Sequence, residues 1–229
     1  MRREILSQLL ADLAAKRPVV LVSDLASGAS SLLHPFEEEP AVEPGLLAAA
    51  RAAAERDASA TFERPGGNVF LRAFNPPVRL IIVGAVHIAQ SLAPMARLAG
   101  LEVTVLDPRK AFASEQRFAG ETLVRDWPEE GLAGLRLDRR TAVVTMTHDP
   151  KIDDPALAAA LRSNVFYLGS LGSKKTQAAR RARLAGEGFS EGELSRIHGP
   201  VGLDIGARTP GEIATSILAQ IIAALRARA

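Results

Sequence analysis

The most informative pattern in this chain of 229 residues is the alternation of short apolar runs with helical segments after residue 77. The run at 79–83 is almost continuously apolar, which is typical of a strand buried on both faces of a parallel sheet. Further strands are predicted at 102–106, 141–146 and 165–168, with helices between them. Strands that alternate with helices over about 150 residues predict a Rossmann-like, doubly wound parallel sheet of the α/β class.

The N-terminal part, residues 1–75, shows a weaker pattern that predicts a small α+β domain. Its predicted elements are a helix at 3–16 with an apolar face, a strand at 19–22, a loop at 28–44 with an acidic run at 37–39, an Ala-rich helix at 45–57, and strands at 61–62 and 69–74. The stiff sequence Asn75-Pro76-Pro77 separates this part from the Rossmann-like domain, residues 78–229.

Proline and capping residues predict where two of the helices begin. Thr209 is the expected N-cap of the last helix, Pro210 takes the first helical position, and Glu212 completes a capping box. The stripe expected to be buried on this helix consists of Ile213, Ile217, Ile221 and Leu225. Pro155 is expected near the first turn of an earlier helix.

Composition limits the classes of protein that the chain could belong to. The sequence has no cysteine, which excludes disulfides and cysteine zinc sites, and its net charge is only +2. The basic helix from Lys174 to Arg183 is expected to present a solvated face, and Trp127 and Tyr167 offer no stacking platform for nucleic acid. No apolar stretch is long enough to span a membrane, and the N-terminus does not resemble a secretory signal. We therefore expect a cytoplasmic protein that binds neither nucleic acid nor membranes.

The first candidate site is the turn after the strand at 79–83, where a dinucleotide fingerprint would begin. Gly84 ends the strand, His87 opens the helix, and Asp107 lies about 20 residues on, where a ribose-binding carboxylate is expected. Val86 replaces the middle glycine of the fingerprint and would block the approach of a pyrophosphate. A structural turn and a bound NAD(P) remain alternatives here, and Val86 favours the structural turn.

The second candidate is Thr147-His148-Asp149, which follows the strand at 141–146. A histidine beside a carboxylate at a strand end could act as a base or a metal ligand. The alternative is a loop in which the threonine and the aspartate bond to the backbone and cap the next helix.

The third and fourth candidates are glycine-bearing loops. The third follows the strand at 165–168 and combines a helix start with a basic residue, which favours an anion; its residues are Gly169, Ser170, Gly172, Ser173 and Lys174. The fourth is too elaborate for a simple connection; its residues are His198, Gly202, Asp204, Gly206, Arg208 and Thr209. We expect the two loops to meet at one rim of the sheet around a cavity.

Five stretches resemble the XdhC/CoxI family of accessory proteins. They are PPVRLIIVGAVHIAQSL, VTVLDPRKAF, TMTHDPKIDDPAL, YLGSLGSKKTQAARRARL and IHGPVGLDIGARTPGEIATSILAQII, and they follow one another between residues 76 and 222. The resemblance implies a Rossmann-like C-terminal domain. It also implies a non-catalytic carrier that binds the molybdenum cofactor, as molybdopterin or its dinucleotide form, and delivers it to a xanthine dehydrogenase or carbon monoxide dehydrogenase-type hydroxylase. A sulfurating enzyme is the second partner that the resemblance implies.

The chain departs from the family pattern in two places, so we expect a short or divergent member. The usual glycine-alanine-glycine-histidine turn reads Gly84-Ala85-Val86-His87, and the N-terminal signature is reduced to the sequence at 27–31, without cysteine. No thiolate of this chain can contact molybdenum or sulfur. Two alternatives stay open: an NAD(P)-dependent oxidoreductase with His148 or His87 as proton donor, and a partner-binding module without a small-molecule ligand. The small N-terminal domain leaves a homodimer as one option.

Overall fold

The computed structural model describes residues 2–37 and 40–227. The chain divides into two compact units, one that runs to Pro76 and includes the chain end from Arg226, and one from Pro77 to Leu225. Glu38 and Glu39 of the predicted acidic run lie outside the described residues. No helix within 2–37 and 40–227 combines the length and the apolarity that a bilayer span needs.

The N-terminal unit is a four-stranded antiparallel sheet with two helices. Its elements are α1 (Arg3–Ala14), β1 (Val19–Asp24), β2 (Ser30–Leu33), α2 (Pro44–Arg56), β3 (Ser59–Phe62) and β4 (Val69–Phe74). The strand order is β2-β1-β4-β3. The prediction of a loop over the whole of 28–44 was wrong, because β2 forms there by antiparallel pairing with β1. This strand begins with two serines and so lacks the apolar alternation that would predict it.

The second unit is a six-stranded parallel sheet covered by helices. Its elements are β5 (Arg79–Val83), α3 (His87–Leu98), β6 (Glu102–Leu106), β7 (Thr122–Val124), α4 (Pro128–Leu135), β8 (Thr141–Thr145), α5 (Pro150–Leu161), β9 (Tyr167–Ser170), α6 (Lys174–Gly186), α7 (Glu191–Leu194), β10 (Ile197–His198) and α8 (Pro210–Ala227). The strand order is β10-β9-β8-β5-β6-β7. The order reverses between β5 and β8, as in the Rossmann fold, which confirms the predicted fold class.

The central strand is buried on both faces, as its apolar run predicts. Leu80 and Ile82 of β5 lie in the core beneath α3 and α8, whereas Ile81 and Val83 lie in the core beneath α5. The side chains of a strand alternate between the two faces of its sheet, so one continuous apolar run supplies both cores. Helices on both faces leave the carboxyl edge of the sheet for the connecting loops.

Two predicted boundaries moved, and both changes affect the candidate loops. Helix α5 begins at Pro150 rather than near Pro155, because the Asp149 side chain caps it by accepting a hydrogen bond from the Lys151 amide at 3.0 Å. Strand β9 extends to Ser170, which pairs with Thr145 of β8. Gly169 and Ser170 are therefore buried strand residues and not part of an open loop.

The predicted capping box of the last helix is confirmed. Thr209 Oγ1 accepts from the Glu212 amide at 3.3 Å, and the Glu212 carboxylate accepts from the Thr209 amide at 3.0 Å. In the predicted stripe of α8, Ile217 and Ile221 are fully buried, and Ile213 and Leu225 pack against the same core.

Candidate functional site

All four candidate segments lie at the carboxyl ends of parallel strands. The turn from Gly84 follows β5, the segment from Thr147 follows β8, and the loops from Leu171 and Gly199 follow β9 and β10. Asp107 directly follows β6, the neighbour of β5. Since the strands are parallel, these segments share one edge of the sheet, where ligands bind in open α/β folds.

The two glycine-bearing loops meet around a cavity of about 480 Å³. It is lined by Leu171, Lys174, Pro200, Val201, Gly202, Leu203, Asp204, Ile205, Gly206, Ala207, Ile213 and Ser216. Four of the residues singled out from the sequence lie here: Lys174, Gly202, Asp204 and Gly206. The aliphatic members of the wall were missed, because an isolated apolar residue in a loop has no periodic signal that would place it at a ligand.

The backbone of the second loop leaves hydrogen-bond donors at this cavity. The Leu203 and Ile205 amides bond to Ser216 O and Leu203 O, at 3.2 and 3.0 Å. Within the part of the chain that the structure describes, the amides of Asp204, Gly206 and Ala207 make no hydrogen bond. The cavity therefore combines an apolar wall with backbone donors, a carboxylate and an ammonium group.

Gly202 is required by close packing as well as by its backbone conformation. Its φ is +100°, and a Cβ atom there would lie 2.4 Å from Ser216 Oγ and 3.4 Å from the Ile217 amide nitrogen. Its own amide donates to Gln220 Oε1 at 2.8 Å. The residue thus fixes the loop against α8 and sets the floor of the cavity.

His198 lies beside the cavity rather than in its lining. Its ring stacks on Tyr167 with centroids 4.8 Å apart, and the Tyr167 hydroxyl donates to Gln220 Oε1. Burial lowers the pKa of His198 and raises that of Tyr167. Tyr167 therefore does stack on another ring, but on one within the protein.

A buried ion pair joins the segment after β8 to the segment after β9. Arg180 of α6 is 2% exposed and Asp153 of α5 is fully buried, with Nη2 and Oδ2 3.2 Å apart. Arg180 also donates to Gln177 Oε1 at 2.8 Å, and Gln177 donates to Ser170 O at 2.8 Å. The expectation that Arg180 lies on a solvated face was wrong. Its spacing from Gln177 and Leu184 places all three on one buried stripe.

The same carboxylate of Asp153 organises the segment Thr147–Asp149. It accepts hydrogen bonds from the Thr147 hydroxyl at 2.7 Å, the Thr147 amide at 3.2 Å and the His148 amide at 3.0 Å. His148 has a φ of +63°, and its side chain is exposed. The threonine and aspartate side chains thus make the local contacts expected of a helix-capping loop, whereas His148 faces solvent.

Replacing Asp149 with alanine removes the cap of α5. We expect a loss of about 1 kcal/mol in the free energy of unfolding, measured with urea, because the Lys151 amide loses its acceptor. Asp204→Ala is the matched control, since Asp204 is an exposed loop residue that caps no helix, and it should change stability by less than about 0.5 kcal/mol. An unchanged stability for Asp149→Ala would contradict the capping role.

Asp107 is fully buried and holds the turn after β5 together with Arg109. Its Oδ2 accepts from the Ala85 amide at 2.8 Å and from Arg109 Nη2 at 2.7 Å, and its Oδ1 accepts from the Arg109 amide and Nε. Burial alone would raise the pKa of Asp107, but the hydrogen bonds from Arg109 and Ala85 outweigh it and hold the pKa below its ordinary value. Binding a ribose at this carboxylate would require Arg109 to move.

This lowered pKa predicts a dependence of stability on pH. A carboxylate whose pKa is depressed on folding stabilises the fold above its unfolded pKa of about 3.9, and this contribution disappears as pH falls through the folded pKa. The stability difference between the wild type and Asp107→Asn should therefore be largest near neutral pH and shrink below about pH 4. Urea unfolding across this range measures it, and a difference that stays constant with pH would contradict the assignment.

Gly84 is required at the reversal point of the sheet. Its φ is +115°, and a Cβ atom there would lie 2.7 Å from Thr147 Cγ2. The remaining predicted site residues lie at the same edge but outside the cavity wall: His87, Ser173, Arg208 and Thr209 are exposed or partly exposed, and Gly172, with a φ of +140°, packs against Thr176. The described residues contain no group of three or more histidine, aspartate or glutamate side chains placed to hold a metal.

Comparisons with known proteins concentrate on the second unit. Curated relatives include the molybdenum cofactor insertion chaperone PaoD of Escherichia coli K12, 34% identical over 70% of this chain and 45% of its own length. They also include a protein of Bacillus subtilis 168 described as a probable xanthine dehydrogenase component, 34% identical over 68% of this chain and 45% of its own length. The chain thus spans less than half of these relatives.

A solved structure and a family description agree with these matches. The crystal structure of a xanthine dehydrogenase from Bacillus halodurans aligns with a TM-score of 0.70 and 26% identity, over 99% of this chain and 65% of that one. The description of the XdhC Rossmann domain matches residues 80–221, which contain every residue of the cavity wall. The chain belongs to the XdhC family.

Proposed function

We propose that this chain binds the molybdenum cofactor in the cavity between the loops after β9 and β10 and delivers it to a molybdenum hydroxylase. The observation that carries the proposal is the meeting of these two loops around about 480 Å³. This volume falls within the range of small-molecule sites, roughly 300–1,000 Å³. The name of the relative PaoD, a molybdenum cofactor insertion chaperone, supports the same ligand.

The groups at the cavity fit the chemistry of a phosphorylated pterin. The ammonium group of Lys174 and the start of α6 suit the phosphate. The unpaired amides of Asp204, Gly206 and Ala207 suit acceptors on the pterin ring, and the Asp204 carboxylate suits its amino groups. The aliphatic wall covers the ring faces. When bound, the cofactor supplies the molybdenum centre that the client enzyme uses.

The protein's own task is to hold and shield this cargo rather than to catalyse. With no cysteine, the chain offers no thiolate to the metal or to sulfur. We therefore propose that sulfuration depends on a separate sulfurating enzyme and that the apo-hydroxylase is the acceptor. The names of the relatives from Bacillus support a client of the xanthine dehydrogenase type.

Copurification tests the proposal. The chain expressed in a molybdopterin-producing host should carry pterin near stoichiometry and should restore activity to an apo-hydroxylase. Absence of pterin together with failure to bind the apo-enzyme would exclude a carrier.

Lys174 and its neighbour Lys175 provide a matched pair of variants. Both are exposed, but only Lys174 lines the cavity. Lys174→Ala should weaken pterin retention about tenfold, because a charge-assisted contact with the phosphate is lost, whereas Lys175→Ala should retain pterin like the wild type. Fluorescence titration with molybdopterin measures both, and equal effects would place the phosphate elsewhere.

A further inference from the structure

The cavity leaves a second group of basic and aromatic side chains unexplained. These side chains follow β6, on the other side of the point where the strand order reverses. Arg109 lies over the ring of Phe112, with Cζ 4.4 Å from the centroid, and Arg117 approaches the same ring at 5.7 Å. Phe112 is 42% exposed although it is a large apolar residue. An exposed phenylalanine between two guanidinium groups needs a reason beyond core packing.

The group is held in place against the start of α3. Arg117 donates to Gln90 Oε1 at 3.1 Å and to Phe112 O at 3.0 Å, and Gln90 lies in the first turn of α3. Arg109 is fixed by its hydrogen bonds to the buried Asp107. Both guanidinium groups are thus positioned by the fold at the ligand-binding edge of the sheet rather than extended into solvent.

The charges and hydrogen bonds define the ligand that this group would take. Both oxygens of Asp107 already accept hydrogen bonds, so no carboxylate is available to bind the hydroxyl pair of a ribose. The exposed Lys110 adds a third cation, while Glu115 lies 3.9 Å from Arg125. A phosphate would satisfy the cationic groups, and a nucleobase would cover the phenylalanine ring.

We propose that Arg109, Phe112 and Arg117 form a nucleotide subsite, with the phosphate on the guanidinium groups and the base on Phe112. The subsite is separate from the cavity proposed for the pterin. Strands β5 and β8 lie between β6 and β9, so the two sites are about 14 Å apart across three strand spacings. The subsite does not depend on whether the cavity binds a pterin.

Calorimetry with adenosine 5′-monophosphate and cytidine 5′-monophosphate tests the subsite on the intact chain. Each nucleotide should bind at least tenfold more tightly than its nucleoside and than ribose 5-phosphate, because both the phosphate and the base contribute. Binding equal to that of ribose 5-phosphate or of inorganic phosphate would reduce the group to a general anion site and overturn the proposal.

Two variants locate the binding. Phe112→Ala and Arg117→Gln should each weaken nucleotide binding about tenfold without unfolding the chain, since Phe112 is exposed and glutamine can keep the bond to Phe112 O. Arg162→Gln is the matched control, because Arg162 also lies over a phenylalanine, Phe189, with Cζ 4.9 Å from the centroid, but it follows the C-terminal end of α5, away from the ligand-binding edge. Equal losses in all three variants, or none in the first two, would overturn the proposal.

Discussion

Arg180→Met should destabilise the Rossmann unit by about 3–5 kcal/mol, because it leaves the buried carboxylate of Asp153 without its cation. For a domain of this size the loss corresponds to a melting temperature lower by roughly 10 °C. Calorimetry and urea unfolding measure it. The cost includes the bond from Arg180 to Gln177, which in turn holds Ser170.

The control for this prediction is Arg183, the other arginine of the cluster. It pairs with Asp154, but its side chain is 40% exposed. Arg183→Met should cost about 1 kcal/mol or less, since water screens a partly exposed pair. The double variant Asp153→Asn with Arg180→Met should recover part of the loss, because no unpaired charge remains buried. Equal costs for Arg180→Met and Arg183→Met would contradict the role assigned to burial.

Gly202→Ala should produce the second large effect, a loss of about 2–4 kcal/mol together with loss of pterin retention. The new Cβ would lie 2.4 Å from Ser216 Oγ, and the φ of +100° is unfavourable for alanine. Relief of both requires the loop to move away from α8, which deforms the cavity floor. Urea unfolding and pterin content report the two consequences separately.

Gly211→Ala is the matched control for Gly202→Ala. Gly211 lies in the first turn of α8, and a Cβ atom there meets nothing within 4 Å. Alanine is the better helix former, so this variant should be unchanged or up to about 1 kcal/mol more stable and should retain pterin. A similar destabilisation by the two substitutions would show that the packing at Gly202 does not set the loop conformation.

The sequence was sufficient for the architecture of the second unit because each signal there is local. The apolar run of β5, the αL glycine at Gly100 and the capping box at Thr209 each act within a few residues, and all three appear in the structure. Strand β7 and helix α4 were not predicted. β7 has only three residues and forms by pairing with β6, which is a tertiary event.

The candidate site was predictable in position but not in its internal contacts. The order of parallel strands brings the glycine-bearing loops to one edge, which follows from the alternation of strands and helices. Whether a polar residue faces a ligand or another residue depends on neighbours distant in sequence. Arg180, 27 residues from Asp153, and Tyr167, 53 residues from Gln220, illustrate this dependence.

Hydrogen exchange of the protein with and without molybdopterin tests the central claim most directly. The account predicts slower exchange for the amides of Asp204, Gly206 and Ala207 and for the segment from Leu171 to Lys174, since the cavity lies between these two loops. Little change is expected at the turn from Gly84 to His87. Slower exchange at that turn, with none in the two loops, would place the pterin elsewhere and contradict the proposed site.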